Sequence, residues 1–227
     1  HVPASGLRHQ VRAATVVWQR EMIRFGRDRS RIVSSLIQPV LFLFVLGTGL
    51  SSLLSTGEVD FRTFLFPGVL ATSVLFTAAF SGISMVWDRE FGFLREMLVA
   101  PVSTTAILTG KCLGGATVAT LQSLIILALA PLVGVPYDLV MMVELVGLLF
   151  LMAFMICALG LFLSARVKQV QSAMPLVQLT ITPLMFLSGI FFPLEILPSW
   201  LKSVATFMPL TYLGDALRQT MVGGTPF

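Results

Sequence analysis

A glycine followed by a lysine is how a phosphate cradle ends, and Thr109-Gly110-Lys111-Cys112 invites that reading. The cradle also needs a glycine five residues before the second one, and a Ser or Thr directly after the lysine to hold magnesium. Thr105 and Cys112 stand at those positions, so the chain is expected to bind no nucleotide of its own. Other chemistry is equally short of parts. The only histidines, His1 and His9, precede every long apolar run, which leaves a serine in such a run without a base. No pair of acids lies inside an apolar run, as an aspartyl protease would require, and Asp138 and Glu144, at the edge of one, are expected at a membrane interface. Cys112 and Cys157 fall among apolar residues and read as small packing groups, with neither a disulfide framework nor a thiolate metal site. The residues predict no catalytic group, no bound cofactor and no metal in this chain.

In place of reactive groups the sequence has long uncharged runs. Hydrophobic residues make up 56% of the 227 and charged residues 11%, against about 25% charged in an ordinary soluble domain. Five runs separate successive charges: 26 residues from Ile32 to Gly57, 25 from Thr63 to Trp87, 26 from Cys112 to Tyr137, 21 from Leu145 to Ala165 and 26 from Gln169 to Leu194. About 20 apolar residues at about 1.5 Å each cover a hydrocarbon core of about 30 Å, so each run can cross a bilayer. Spans are expected near 33 to 54, 64 to 86, 106 to 132, 143 to 163 and 171 to 192. The net charge of +4 is no sign of nucleic acid, because Arg8, Arg12, Arg20, Arg24, Arg27, Arg29 and Arg31 all precede the first run, a pattern of membrane topology. With alternating spans, twelve basic residues fall on one side and only Arg62, Lys202 and Arg218 on the other. The chain is therefore expected in the cell inner (plasma) membrane, multi-pass, with its N-terminus cytoplasmic. The fold class is all-α and polytopic, with five spans and a single transmembrane domain over 1–227.

Smaller elements position the remaining candidates. Leu7, Val11, Ala14, Trp18, Met22 and Phe25 recur at helical spacing, so residues 1–31 predict an amphipathic helix along the inner leaflet. Lys111 is expected to snorkel to the inner interface, and Gly110 with Gly114 to form a close-packing face. The segment 87–104 mixes charge with Phe91, Phe93, Leu94, Met97 and Leu98 and stops at Pro101, which predicts a short surface helix. Two readings of it stand: a docking surface for another protein, or a helix resting in the interface. Polar stripes run along the second span (Ser73, Thr77, Ser81, Ser84) and the fifth (Gln171, Pro175, Gln178, Thr182), and each is either helix packing or the wall of a pathway. Pro39, Pro67 and Pro183 offer kinks. Residues 193–222, divided by Pro193, Pro198 and Pro209, predict two short outer re-entrant helices with Trp200 and Tyr212 at headgroup level, and Asp215 and Arg218 as a local pair. Buried ionisable groups are expected to be nearly absent, which disfavours an ion-coupled carrier.

The Asp-Arg-Glu-x-Gly-x-x-x-Glu-x-Leu pattern from Asp88 to Leu98, and the Phe-Phe-Pro-Leu…Pro-x-Trp-Leu…Pro-Leu-Thr-Tyr…Asp-x-Leu-Arg pattern from Phe191 to Arg218, resemble the ABC-2 type permeases, nearest the daunorubicin-resistance-like drug-export branch. The resemblance covers nearly the whole chain. It implies a sixth span beyond the second outer helix, where the sequence given ends at Phe227. It also implies that the loop after the second span is a coupling helix, with Asp88, Arg89, Glu90, Phe91, Gly92, Phe93, Leu94, Glu96 and Leu98 as coupling residues, docked on a separate cytoplasmic ABC ATPase. ATP and Mg would be bound by that partner, present in two copies beside a second permease subunit, identical or not. Ser73, Thr77, Ser81, Ser84, Gln178 and Thr182 are the pathway candidates, and Pro193, Trp200, Pro209, Tyr212, Asp215 and Arg218 the outer gate. The expected function is export of an amphipathic or hydrophobic, drug-like compound; the alternatives are export of a lipid or lipid-linked glycan and, behind them, ion-coupled transport.

Overall fold

A computed structural model of the chain describes residues 7–54, 61–92, 103–133, 139–167, 169–187, 198–206 and 209–222. Among them every regular element is a helix: α1 (Leu7–Arg27), α2 (Arg29–Leu54), α3 (Phe61–Glu90), α4 (Thr104–Leu127), a 3-10 turn (Ala130–Val133), α5 (Leu139–Ser164), α6 (Val170–Leu187), α7 (Ser199–Thr206) and α8 (Pro209–Val222). Four stretches, Leu65–Glu90, Thr104–Leu127, Val140–Ser164 and Val170–Leu187, are long and apolar enough to cross a bilayer. Of the five spans expected, the first is α2, whose described apolar stretch, Ile32–Val45, is shorter.

Helix ends follow local chemistry. Asp28 closes α1 and opens α2: its amide donates to the carbonyls of Arg24 and Phe25, and its carboxylate accepts from Ser30 Oγ at 3.0 Å. The helix expected over residues 1–31 is described from Leu7 and stops at Arg27. Ser103 caps α4, its hydroxyl accepting from the Ala106 amide at 3.3 Å. Pro209 opens α8, where its missing N–H costs nothing.

The helix α3 is the axis, packed against α2, α4, α5, α6 and α8. Lipid tails are as apolar as leucine, so helices in a bilayer associate through close packing, and small residues provide it. A Cβ placed on Gly82 would lie 2.6 Å from the Gly160 carbonyl carbon, so α3 and α5 cross backbone to backbone. Ala78, Ala79, Ala153 and Cys157 are buried in the core with Phe66, Leu70, Leu75, Leu149 and Met152. Beyond the far end of α6, α7 and α8 are tied by Thr211 Oγ1 donating to the Ala205 carbonyl at 2.8 Å. Leu210, Leu217 and Met221 join the core.

The amphipathic α1 has a partner within the chain. It packs on α4, its Ala14, Val17, Trp18 and Glu21 lying over Gly110 and Gly114. A Cβ at Gly110 would stand 2.6 Å from the Ala14 carbonyl oxygen, and one at Gly114 2.8 Å from Glu21 Cβ. Trp18 Nε1 donates to Thr117 Oγ1 at 3.1 Å. The glycine pair is thus a close-packing face, with α1 as its partner.

Candidate functional site

Consecutive helix residues project about 100° apart, so the last turn of α3 addresses several neighbours at once. Asp88 points to α1 and α4: Oδ1 accepts from Arg20 Nη2 at 3.1 Å, and Oδ2 pairs with the ammonium of Lys111. Arg89 points to the end of α5, its Nη1 donating to the carbonyls of Ala165 and Val167 at 3.0 Å each. A cation there complements the negative end of the helix. Glu90 points to the start of α6, its Oε2 accepting from the Val170 amide at 2.9 Å, where a carboxylate matches the positive end.

Lys111 is the centre of a buried polar cluster. It is 2% exposed, pairs with Asp88, donates to Ser84 Oγ at 3.1 Å and lies 3.6 Å from Glu21 Oε1. With Arg20 the cluster holds two cations and two carboxylates, so its charges cancel. Two expectations are corrected. Lys111 does not snorkel, because the acids of α1 and α3 reach it inside the bundle. Nor are buried ionisable groups nearly absent: Glu21, Asp88 and Lys111 are all buried, and mutual neutralisation is what makes their burial tolerable. No long-range pattern in the sequence announces this cluster; the nearest signal is Glu21 itself, one acid within a helix that is otherwise basic.

Trp87 to Glu90, assigned from sequence to the surface helix, instead complete α3, where Asp88, Arg89 and Glu90 each find a partner elsewhere in the chain. The break comes at Gly92, whose φ of +77° is the left-handed conformation that ends helices. Trp87 and Phe91 stack with centroids 5.7 Å apart, and Phe91 is 73% exposed. Phe93, Leu94, Glu96 and Leu98 lie outside the described residues.

The pathway candidates separate into two sets. On α3, Ser73 is buried and donates to the Val69 carbonyl at 2.8 Å, Thr77 and Ser81 are half-buried, and Ser84 belongs to the Lys111 cluster. A Cβ on Gly115 of α4 would run into Ser81 and Cys157. Of this stripe, Ser81 and Ser84 lie against α4. On α6, Gln178 is exposed, Thr182 half-buried, and Thr182 Oγ1 donates to the Gln178 carbonyl at 2.8 Å. Of the outer residues, Tyr212 is 59% exposed and Asp215 half-buried; Pro193 and the side chains of Trp200, Pro209 and Arg218 lie outside the described set.

A family model described as ABC-2 type transporter matches residues 12–222. The chain belongs to that family. Among its relatives are nodulation protein J of Rhizobium leguminosarum bv. viciae, 29% identical and aligned over 98% of this chain and 85% of that one. Putative transport permease ycf38 of Cyanophora paradoxa is 26% identical over 89% of this chain and 72% of its own. Inner membrane transport permease YadH of Escherichia coli (strain K12) is 26% identical over 91% and 82%. The chain is thus a multi-pass transport permease.

Proposed function

We propose that the chain is the membrane subunit of an ATP-driven exporter whose hydrolysis is supplied by a separate cytoplasmic ABC ATPase, docked on the loop that follows Gly92. The observation that carries this is the end of α3: a helix anchored to its neighbours, then a left-handed glycine beside an exposed Trp87–Phe91 pair, leading into a segment of large apolar residues that carries Arg95 and Glu96. The failed phosphate cradle around Lys111, now occupied by an ion cluster, supports an outside source of hydrolysis. In this reading the N-terminus is cytoplasmic, Phe91, Leu94 and Leu98 are docking anchors, and Glu96 makes a charge-assisted bond to the ATPase. Two permease copies work with two ATPases, and α7 and α8 dip into the outer leaflet to close the route.

The cargo we propose is an amphipathic, drug-like compound. Gln178 and Thr182 lie on a helix that also exposes Leu179 and Phe186, so an uncharged polar strip borders an apolar surface. The same border favours a second reading, a lipid or lipid-linked glycan entering sideways from the leaflet. Ion-coupled transport gains little from Glu21, Asp88 and Lys111, which are paired and gathered at one end of the bundle.

Leu94→Ala and Glu96→Ala test the docking. Truncating an interface anchor costs about 2 kcal/mol or more, roughly 30-fold in affinity, so Leu94→Ala is expected to lose the ATPase in a pull-down while inserting normally. Wild-type recovery in both variants would remove the loop from the interface.

A further inference from the structure

We propose that Asp88, Arg89 and Glu90 are positioning residues that clamp α1, α4, α5 and α6 to the end of α3, and that Glu90 passes movement of the following loop to α6. This rests on the reading that the loop after Gly92 docks on the ATPase, and it gives these three residues work inside the chain. Asp88 cannot reach outward: it is 6% exposed and its two oxygens are taken by Arg20 and Lys111. Arg89 donates to the two carbonyls at the end of α5, and Glu90, exposed at the surface, gives one oxygen, Oε2, to the first amide of α6. All three lie within four residues of Gly92, so a displacement of the loop reaches their backbone through Phe91.

The links differ in what they hold. At Asp88 the joined helices are already locked by close packing of α1 on α4 and a neutral buried cluster, so α1, α3 and α4 move as one body there. At Glu90 the joined helix is loosely held, because α6 buries only Ala173, Val177 and Ile181, one narrow stripe. A hydrogen bond at its first residue therefore decides where that end of α6 goes, whereas the same bond on a fully packed helix would decide nothing. The consequence is a route from the docking loop to the helix bearing Gln178 and Thr182 that bypasses the packed core.

The experiment uses the permease purified with its ATPase in nanodiscs, with Cys112 and Cys157 replaced by alanine and Gln178→Cys as a single reporter for a water-soluble maleimide. The labelling rate is compared between the nucleotide-free and the ATP-vanadate-trapped complex. Trapping is expected to change the rate several-fold in the reporter background, to change it hardly at all with Glu90→Ala added, and to change it again with Glu90→Gln, which keeps a carbonyl acceptor for Val170. Val170→Pro gives the same loss from the other side: it removes the N–H that Glu90 accepts, at the first helix position, where proline is tolerated. ATPase recovery is expected to be equal in all of these. A full rate change in both Glu90→Ala and Val170→Pro overturns the proposal, as does the absence of any change in the reporter background. Recovery that falls with Glu90→Ala and Glu90→Gln but not with Val170→Pro overturns it too, by making Glu90 an ATPase contact. Failure of the docking reading shows elsewhere, as wild-type recovery in Leu94→Ala and Glu96→Ala.

Discussion

The apolar windows of α4 and α6 have the same mean hydropathy, 1.3, yet 72% of the first is buried inside the chain and 17% of the second. Hydropathy measures fitness for a bilayer and is silent about which neighbour a helix meets there. What separates the two is small residues and charge. Gly110, Gly114 and Gly115 let α1, α3 and α5 approach α4 closely, and Lys111 needs partners that only a surrounded helix has. The exposed surface of α6, with Met174, Leu176, Leu179 and Phe186, is left to lipid, cargo or a second copy of the chain. One helix is enclosed by its own chain; the other keeps most of its apolar surface outward.

The largest effect that would sharpen this contrast is expected from Lys111→Met. It leaves the Asp88 and Glu21 carboxylates buried without their shared cation, and breaking a buried pair from one side costs about 3 to 5 kcal/mol. Unfolding in detergent should show that loss, and adding Asp88→Asn should restore part of it. A single variant as stable as wild type would mean that water reaches the cluster. Next comes Gly110→Ala, whose methyl meets the Ala14 carbonyl and Val17. Overpacking of this kind costs about 1 to 3 kcal/mol, and the freed α1 should be cut faster by trypsin at Arg24 and Arg27. Trp18→Phe keeps the packing and deletes the donor to Thr117, a loss of about 1 kcal/mol. The smallest effect belongs to α6: Leu179→Ala, at a site 74% exposed, should shift the stability of the isolated chain by no more than about 0.5 kcal/mol. A drop as large as that of buried Ile181→Ala, about 2 to 5 kcal/mol, would break the contrast.

Much of this was legible in one dimension. The spans expected from the uncharged runs overlap α3, α4, α5 and α6, with ends that differ by up to five residues, since long stretches without unpaired charge are what a bilayer admits. The prolines at 198 and 209 mark the starts of α7 and α8. The same logic fails at the end of α3, because Asp88, Arg89 and Glu90 are charges whose partners come from four other helices, and sequence spacing carries no sign of such pairings. Arg20 read as a topology signal and Lys111 as an interfacial side chain for that reason: each rule applies to a helix met alone. Gly110 and Gly114 announced a close contact but not that α1 would supply it, since an amphipathic helix suits a leaflet and a protein groove equally well.

Division of labour between membrane and ATPase is measured most directly by hydrolysis. The tagged permease, extracted gently from its own membrane, is purified once with whatever copurifies and once after stripping to the single chain, and both preparations are assayed for ATP turnover in nanodiscs. The expected result is a copurified ATP-binding subunit, turnover in the complex, and none above background in the stripped chain. Turnover by the stripped chain, or export from vesicles that needs a proton gradient and no ATP, would contradict a permease powered from outside the membrane.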